Sequence, residues 1–204
     1  MTDSVLWYAA RGAGAVSLLL LTGVVTLGVL AALRWRTSAW PRFLTVAFHR
    51  NLALLSITFL SLHIVTAVVD PYTSLGWSAA LIPFSSSYRT FWLGLGVIAV
   101  DLLLAALLTS LVRGVIGHRT WRLIHWLAYA CWPLALAHGL GTGSDSFSPW
   151  LFTIELACLG TVLLAVALRL LLQPAPLKPA AADVSIPDWA DLGDVSAAAT
   201  RQRR

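Results

Sequence analysis

The chain has 204 residues, 58% of them hydrophobic and 11% charged, with a mean hydropathy of +0.79. A soluble domain carries about 25% charged residues, and one core of this size cannot hide so much apolar side chain from water, so a soluble globule is excluded and the bilayer is the solvent. The net charge of +5 lies in short clusters between apolar runs rather than in a continuous stripe, which fits membrane topology and excludes a nucleic-acid surface.

The composition predicts an all-α membrane protein, a bundle of about five transmembrane helices. Residues 1–11 form an N-terminal segment. The first span, 12–33, is free of charge and long enough to cross a hydrocarbon core about 30 Å thick. It has no basic n-region and exceeds a signal-peptide h-region, so it reads as a retained helix. The further spans are 43–69, 91–112, 121–142 and 150–172, separated by Pro41, Asp70-Pro71, Gly114, Gly117 and Ser148-Pro149, residues that stop helices and turn the chain. Cys131 and Cys158 fall in different spans with no Cys-x-x-Cys spacing and read as small buried hydrophobes. Residues 173–204 hold Pro, Ala, Asp and a closing Arg201-Gln202-Arg203-Arg204, a disordered tail by composition. A short docking helix around Trp189 is the alternative.

Lysine and arginine set the orientation. Arg34, Arg36 and Arg42 lie between spans one and two, and Arg113, Arg119 and Arg122 between spans three and four, so both loops are expected in the cytoplasm. The opposite loops carry Arg89 with Asp70 and Asp145. The expected placement is therefore a multi-pass protein of the cell membrane with its N-terminus outside and its tail cytoplasmic. Trp35, Trp40, Trp92, Trp121 and Trp150 fall near span ends and read as interface anchors.

Four of the five histidines lie within spans two and four, where ionisable residues are costly and mark function. His49 and His63 are 14 residues apart, which at about 100° per residue leaves them about 40° from a shared line and about 21 Å apart along the axis. His125 and His138 are 13 apart, or about 19 Å of rise. Spans two and four run in the same direction, so His49 is level with His125 and His63 with His138. Two facing neutral imidazoles are what six-coordinate b-type haem requires, and two such pairs predict two stacked haems. Thirteen residues leave His125 and His138 about 140° apart on a straight helix, and Pro133 between them is a candidate kink. Histidines hydrogen-bonded between helices, or ligating a metal ion directly, are the alternatives. His118, beside Arg119, is expected in the cytoplasmic loop.

These histidine pairs, together with Ser87-Tyr88-Arg89 leading into Trp92-Leu93-Gly94-Leu95-Gly96, resemble the ferric reductase-like transmembrane domain over residues 12–172. The resemblance implies a stand-alone bacterial cytochrome of the b type that holds two b haems, with His49, His63, His125 and His138 as axial ligands of the haem iron. It implies transmembrane electron transfer as the membrane subunit of an oxidoreductase system, with an extracytoplasmic acceptor such as ferric iron. Five spans stand here where six are usual in the family. The flavin and nicotinamide module of the oxidase and ferric-reductase members has no counterpart after the bundle, so flavin is expected only through a separate flavoprotein partner, or a quinol serves instead. A haem subunit of a methionine-sulfoxide reductase-like system is the alternative within the family. A proton- or metal-coupled transporter subunit, relaying through the histidines with Asp101 and Glu155, is the alternative outside it.

Arg50 beside His49 and Arg89 at the head of span three are candidate partners for haem propionates, with Arg122 a third. Gly94, Gly96, Gly139, Gly141 and Gly143 allow close approach of backbone or a flat macrocycle. Gly94-Leu95-Gly96 opens an apolar span without a preceding strand and is no dinucleotide fingerprint. No residue is assigned a catalytic role.

Overall fold

The computed structural model describes residues 2–33, 40–71, 75–143 and 146–172. Arg34, Arg36, Asp145 and the tail, with the expected helix near Trp189, lie outside the described residues. Within them the protein is all helix: α1 Thr2–Ala32, α2 Arg42–Val69, α3 Trp77–Leu81, α4 Thr90–Leu111, α5 Arg113–Ile116, α6 His118–Thr142 and α7 Pro149–Leu171. Five of them, α1, α2, α4, α6 and α7, are long and apolar enough to cross a membrane. The chain is a multi-pass membrane protein.

Helix boundaries follow the local chemistry. Pro41 precedes α2, Pro149 occupies the first turn of α7 where a missing N–H costs nothing, and Gly117, at φ +78°, makes the corner between α5 and α6. Three boundaries differ from the sequence reading. Residues 2–11 are helical and continue into the first span, so α1 has 31 residues, about 46 Å long against a hydrocarbon core of about 30 Å. His118 is the first residue of α6 and not a loop residue. The connections also contain α3 and α5, too short to register in a hydropathy pattern.

The core is built on α1. Leu18, Leu21 and Val25 of α1 pack with Ala99 of α4, Cys131, Trp132 and Leu136 of α6, and Cys158 and Val162 of α7. The indole N–H of Trp132 donates to Thr22 Oγ1 at 2.9 Å, fixing α6 to α1. Both cysteines are 2% exposed, as small core residues, and the Cys131 thiol donates to the Ala99 carbonyl. Large apolar side chains such as Leu54, Leu108, Leu123 and Leu164 stay exposed, the outward face expected of helices solvated by lipid.

The helices form two antiparallel pairs, α1 with α2 and α4 with α6, and α7 packs on α1. Among the described residues no Cα of α2 comes within 8 Å of α4 or α6. The functional side chains project into the gap this leaves.

Candidate functional site

Two histidine pairs bridge the gap between α2 and α6. His63 and His138 face each other at the α3 end of the bundle, with ring centroids 6.2 Å apart and planes inclined by 84°. At the α5 end His49 and His125 are also 6.2 Å apart, with planes at 62°. A metal–imidazole bond is about 2.0–2.1 Å and the ring centre lies about 1.1 Å beyond the nitrogen, so two imidazoles on opposite sides of one metal have centroids about 6.2–6.4 Å apart. Both pairs meet that spacing. No three His, Cys, Asp or Glu side chains converge as a metal site among the described residues, and each pair brings two imidazoles together.

Three of the four rings are held by the same device. His63 Nδ1 donates to the Ala10 carbonyl at 2.7 Å, His49 Nδ1 to the Val24 carbonyl at 2.9 Å, and His138 Nδ1 to the Trp92 carbonyl at 3.0 Å. A carbonyl only accepts, so each Nδ1 carries the proton and each Nε2 keeps its lone pair for a metal. Four residues after each of these carbonyls stands a glycine: Gly14, Gly28 and Gly96. In a helix the Cβ leans back over the preceding turn, so a missing Cβ uncovers the carbonyl four residues earlier, whose second lone pair the imidazole takes. A Cβ built on Gly96 would lie 2.5 Å from His138 Nδ1, and one on Gly14 would lie 2.9 Å from His63 Nδ1. At Gly28 the nearest approach, to His49 Cε1, is an ordinary 3.5 Å. Because α1 and α2 are antiparallel, the 14-residue spacing of Gly14 and Gly28 matches the 14-residue spacing of His63 and His49.

An apolar cavity, open along one side, lies at the α3-end pair. His63 and His138 line it with Gly14, Ser56, Gly96 and Cys131, and Ala79 and Ala80 of α3 border it. The lining leaves the imidazoles as its principal polar groups. The residues therefore fit haem on four counts: ring spacing, protonated Nδ1 on three of the histidines, glycine clearance, and an apolar slot.

The remaining candidates are distributed unevenly. Arg89 caps α4 in the left-handed conformation, at φ +40°, and its Nη1 donates to the Gly141 carbonyl, clasping the α4 start to the end of α6. Arg50 and Arg122 are exposed. Asp101 is exposed midway along α4, whereas Glu155 is 3% exposed on α7 with a carboxylate oxygen 2.9 Å from the place a Gly139 Cβ would take. The two carboxylates of the relay alternative thus sit in opposite environments.

Sequence reasoning missed the glycine–carbonyl tethers, although equal spacing of glycines on span one and histidines on span two was a readable signal. Arg11 follows the tethering residue Ala10, packs its guanidinium against Gly143, and lies over the Trp7 ring at 5.3 Å. Trp121, read as an interface anchor, stacks on His125 with centroids 5.0 Å apart and planes at 25°.

Neither curated proteins nor solved structures supply a match to the chain. Residues 11–136, more than half of the chain, match the family described as ferric reductase like transmembrane component. The matched stretch runs from within α1 through α2 and α4 into α6, includes His49, His63 and His125, and stops two residues before His138. The chain belongs to the ferric reductase-like transmembrane family and is a membrane subunit of the oxidoreductase type.

Proposed function

We propose that the protein is a transmembrane electron conduit in which His49 with His125 and His63 with His138 each hold one b-type haem. The observation that carries this reading is the equal 6.2 Å separation of both ring pairs across helices whose Cα atoms, among the described residues, nowhere come within 8 Å of each other. Haem bound by His49 with His125 and by His63 with His138 would supply one-electron chemistry. The chain's own residues orient the ligands, exclude water and neutralise charge. The tethers from Ala10, Val24 and Trp92 fix ring planes and raise ligand basicity. Arg89 and Arg11 at the α3 end, and Arg50 beside His49, are the guanidinium partners for propionates.

By the positive-inside rule the α5 end, with exposed Arg113, Arg119 and Arg122, faces the cytoplasm and the α3 end faces outward. Residues 12–172 form the haem-binding bundle and 173–204 a cytoplasmic tail. Electrons are exchanged on the cytoplasmic side with a separate flavoprotein or a quinol, and on the outer side with an acceptor such as ferric iron. His63→Ala and His49→Ala test the pairing. Each should reduce haem from about two per chain to about one while the other haem stays low-spin. Retention of both haems in either variant would show that the pairs are wrong.

A further inference from the structure

Three imidazoles in the gap are tethered and the fourth is not. His125 Nδ1 is buried and has no hydrogen-bond partner among the described residues. The cause lies in the 13-residue spacing on α6. His138 leans on α4, where Gly96 uncovers the Trp92 carbonyl, and 13 residues turn His125 about 140° away from that flank. Trp132, seven residues beyond His125 and so on nearly the same line, shows where that flank points, because its indole bonds Thr22 of α1.

Trp121 takes the place of the missing tether. It lies one turn before His125, and its ring stacks nearly parallel on the imidazole at 5.0 Å. The indole is itself fixed: its Nε1–H donates to Ser110 Oγ at 3.1 Å, and the Ser110 hydroxyl donates to the Ala106 carbonyl at 2.6 Å. A stacked ring restrains the plane of its neighbour but offers no acceptor to an N–H. An imidazole without an Nδ1 acceptor is the less basic ligand.

We propose that Trp121 positions His125 by stacking, in place of the carbonyl tether of the other three histidines, and that His125 is the exchangeable ligand of the four. The inference rests on the haem reading above and names which ligand of that site yields to a small neutral donor of the imidazole class.

The full chain, loaded with haem in detergent, supplies the test. Haem content is measured first, and absence of haem there would remove the electron-conduit reading itself rather than this refinement of it. Low-temperature electron paramagnetic resonance is then compared for the unsubstituted chain, Trp121→Leu and Trp121→Phe. One of the two low-spin signals should move in Trp121→Leu and return in Trp121→Phe, with the other unchanged. Both signals unmoved, or both moved together, would overturn the positioning role.

A second measurement does not depend on Trp121. His125→Gly and His138→Gly are titrated with imidazole and with 1-methylimidazole, whose methyl group fits the space left by the histidine Cβ but which has no N–H to donate. Recovery of the six-coordinate visible spectrum reports binding. At His125→Gly the two ligands should bind within about twofold of each other, and at His138→Gly imidazole should bind about threefold to tenfold more tightly, the worth of one net hydrogen bond. An equal preference for imidazole at both sites would overturn the proposal.

Discussion

His63, His49 and His138 are each placed by a pair of residues four apart on a neighbouring helix, a carbonyl that accepts and a glycine that uncovers it. The clearances rank the glycines. Gly96→Ala drives a methyl into the His138 ring and should cost the haem at the α3 end, with Gly14→Ala weaker in the same direction. Gly28→Ala meets only ordinary contact, so both haems should stay, with α1 gaining about 0.5–1 kcal/mol of helix propensity. Pyridine haemochrome quantitation of the three variants checks the order, and loss of haem in Gly28→Ala equal to that in Gly96→Ala would contradict it. Arg89 allows a separate test of backbone and side chain. Arg89→Ala removes the clasp on Gly141 and should lower Tm by about 2–4 °C, the shift that roughly 1 kcal/mol makes in a chain of this size. Arg89→Gly loses the same hydrogen bond but relaxes the left-handed φ, so its loss should be smaller.

At the scale of elements, the spans and the levels of the histidines were legible because both depend on simple periods. Apolar runs of about 20 residues leave no alternative to helices in a bilayer, and 14 residues bring a side chain back almost to the same face. The first turns of α1 were not legible, since Arg11 interrupts the apolar run although nothing in Leu6-Trp7-Tyr8-Ala9-Ala10 breaks a helix. The short α3 and α5 were invisible for want of length. Pro133 lies inside α6 without ending it, and both histidines on either side of it reach their partners. The expected mismatch of about 140° between those histidines appears instead as unequal support: His138 is bonded to α4, and His125 is stacked on Trp121. The tethers of His49 and His63 escaped sequence reading because they depend on the antiparallel register of α1 against α2, a relation between two helices that no single span displays.

For the whole molecule, packed core and histidine gap are distinct: α1, α4, α6 and α7 supply the core, and the two imidazole pairs stand in the gap between α2 and α6. The proposed orientation places the basic α5 end in the cytoplasm. Val115, 89% exposed at that end, and Phe147, 78% exposed at the other, are suited to cysteine labelling because the native cysteines are buried. Val115→Cys should react with a membrane-impermeant thiol reagent only after the membrane is opened, and Phe147→Cys in intact cells. The opposite pattern would invert the orientation while leaving the histidine pairs untouched. The histidine pairs themselves are tested by a dithionite-reduced minus oxidised visible spectrum of the purified protein with haem quantified per chain. Two paired-imidazole sites predict low-spin b-type bands and about two haems per chain. A protein expressed with ample haem that shows no visible absorbance would contradict the account.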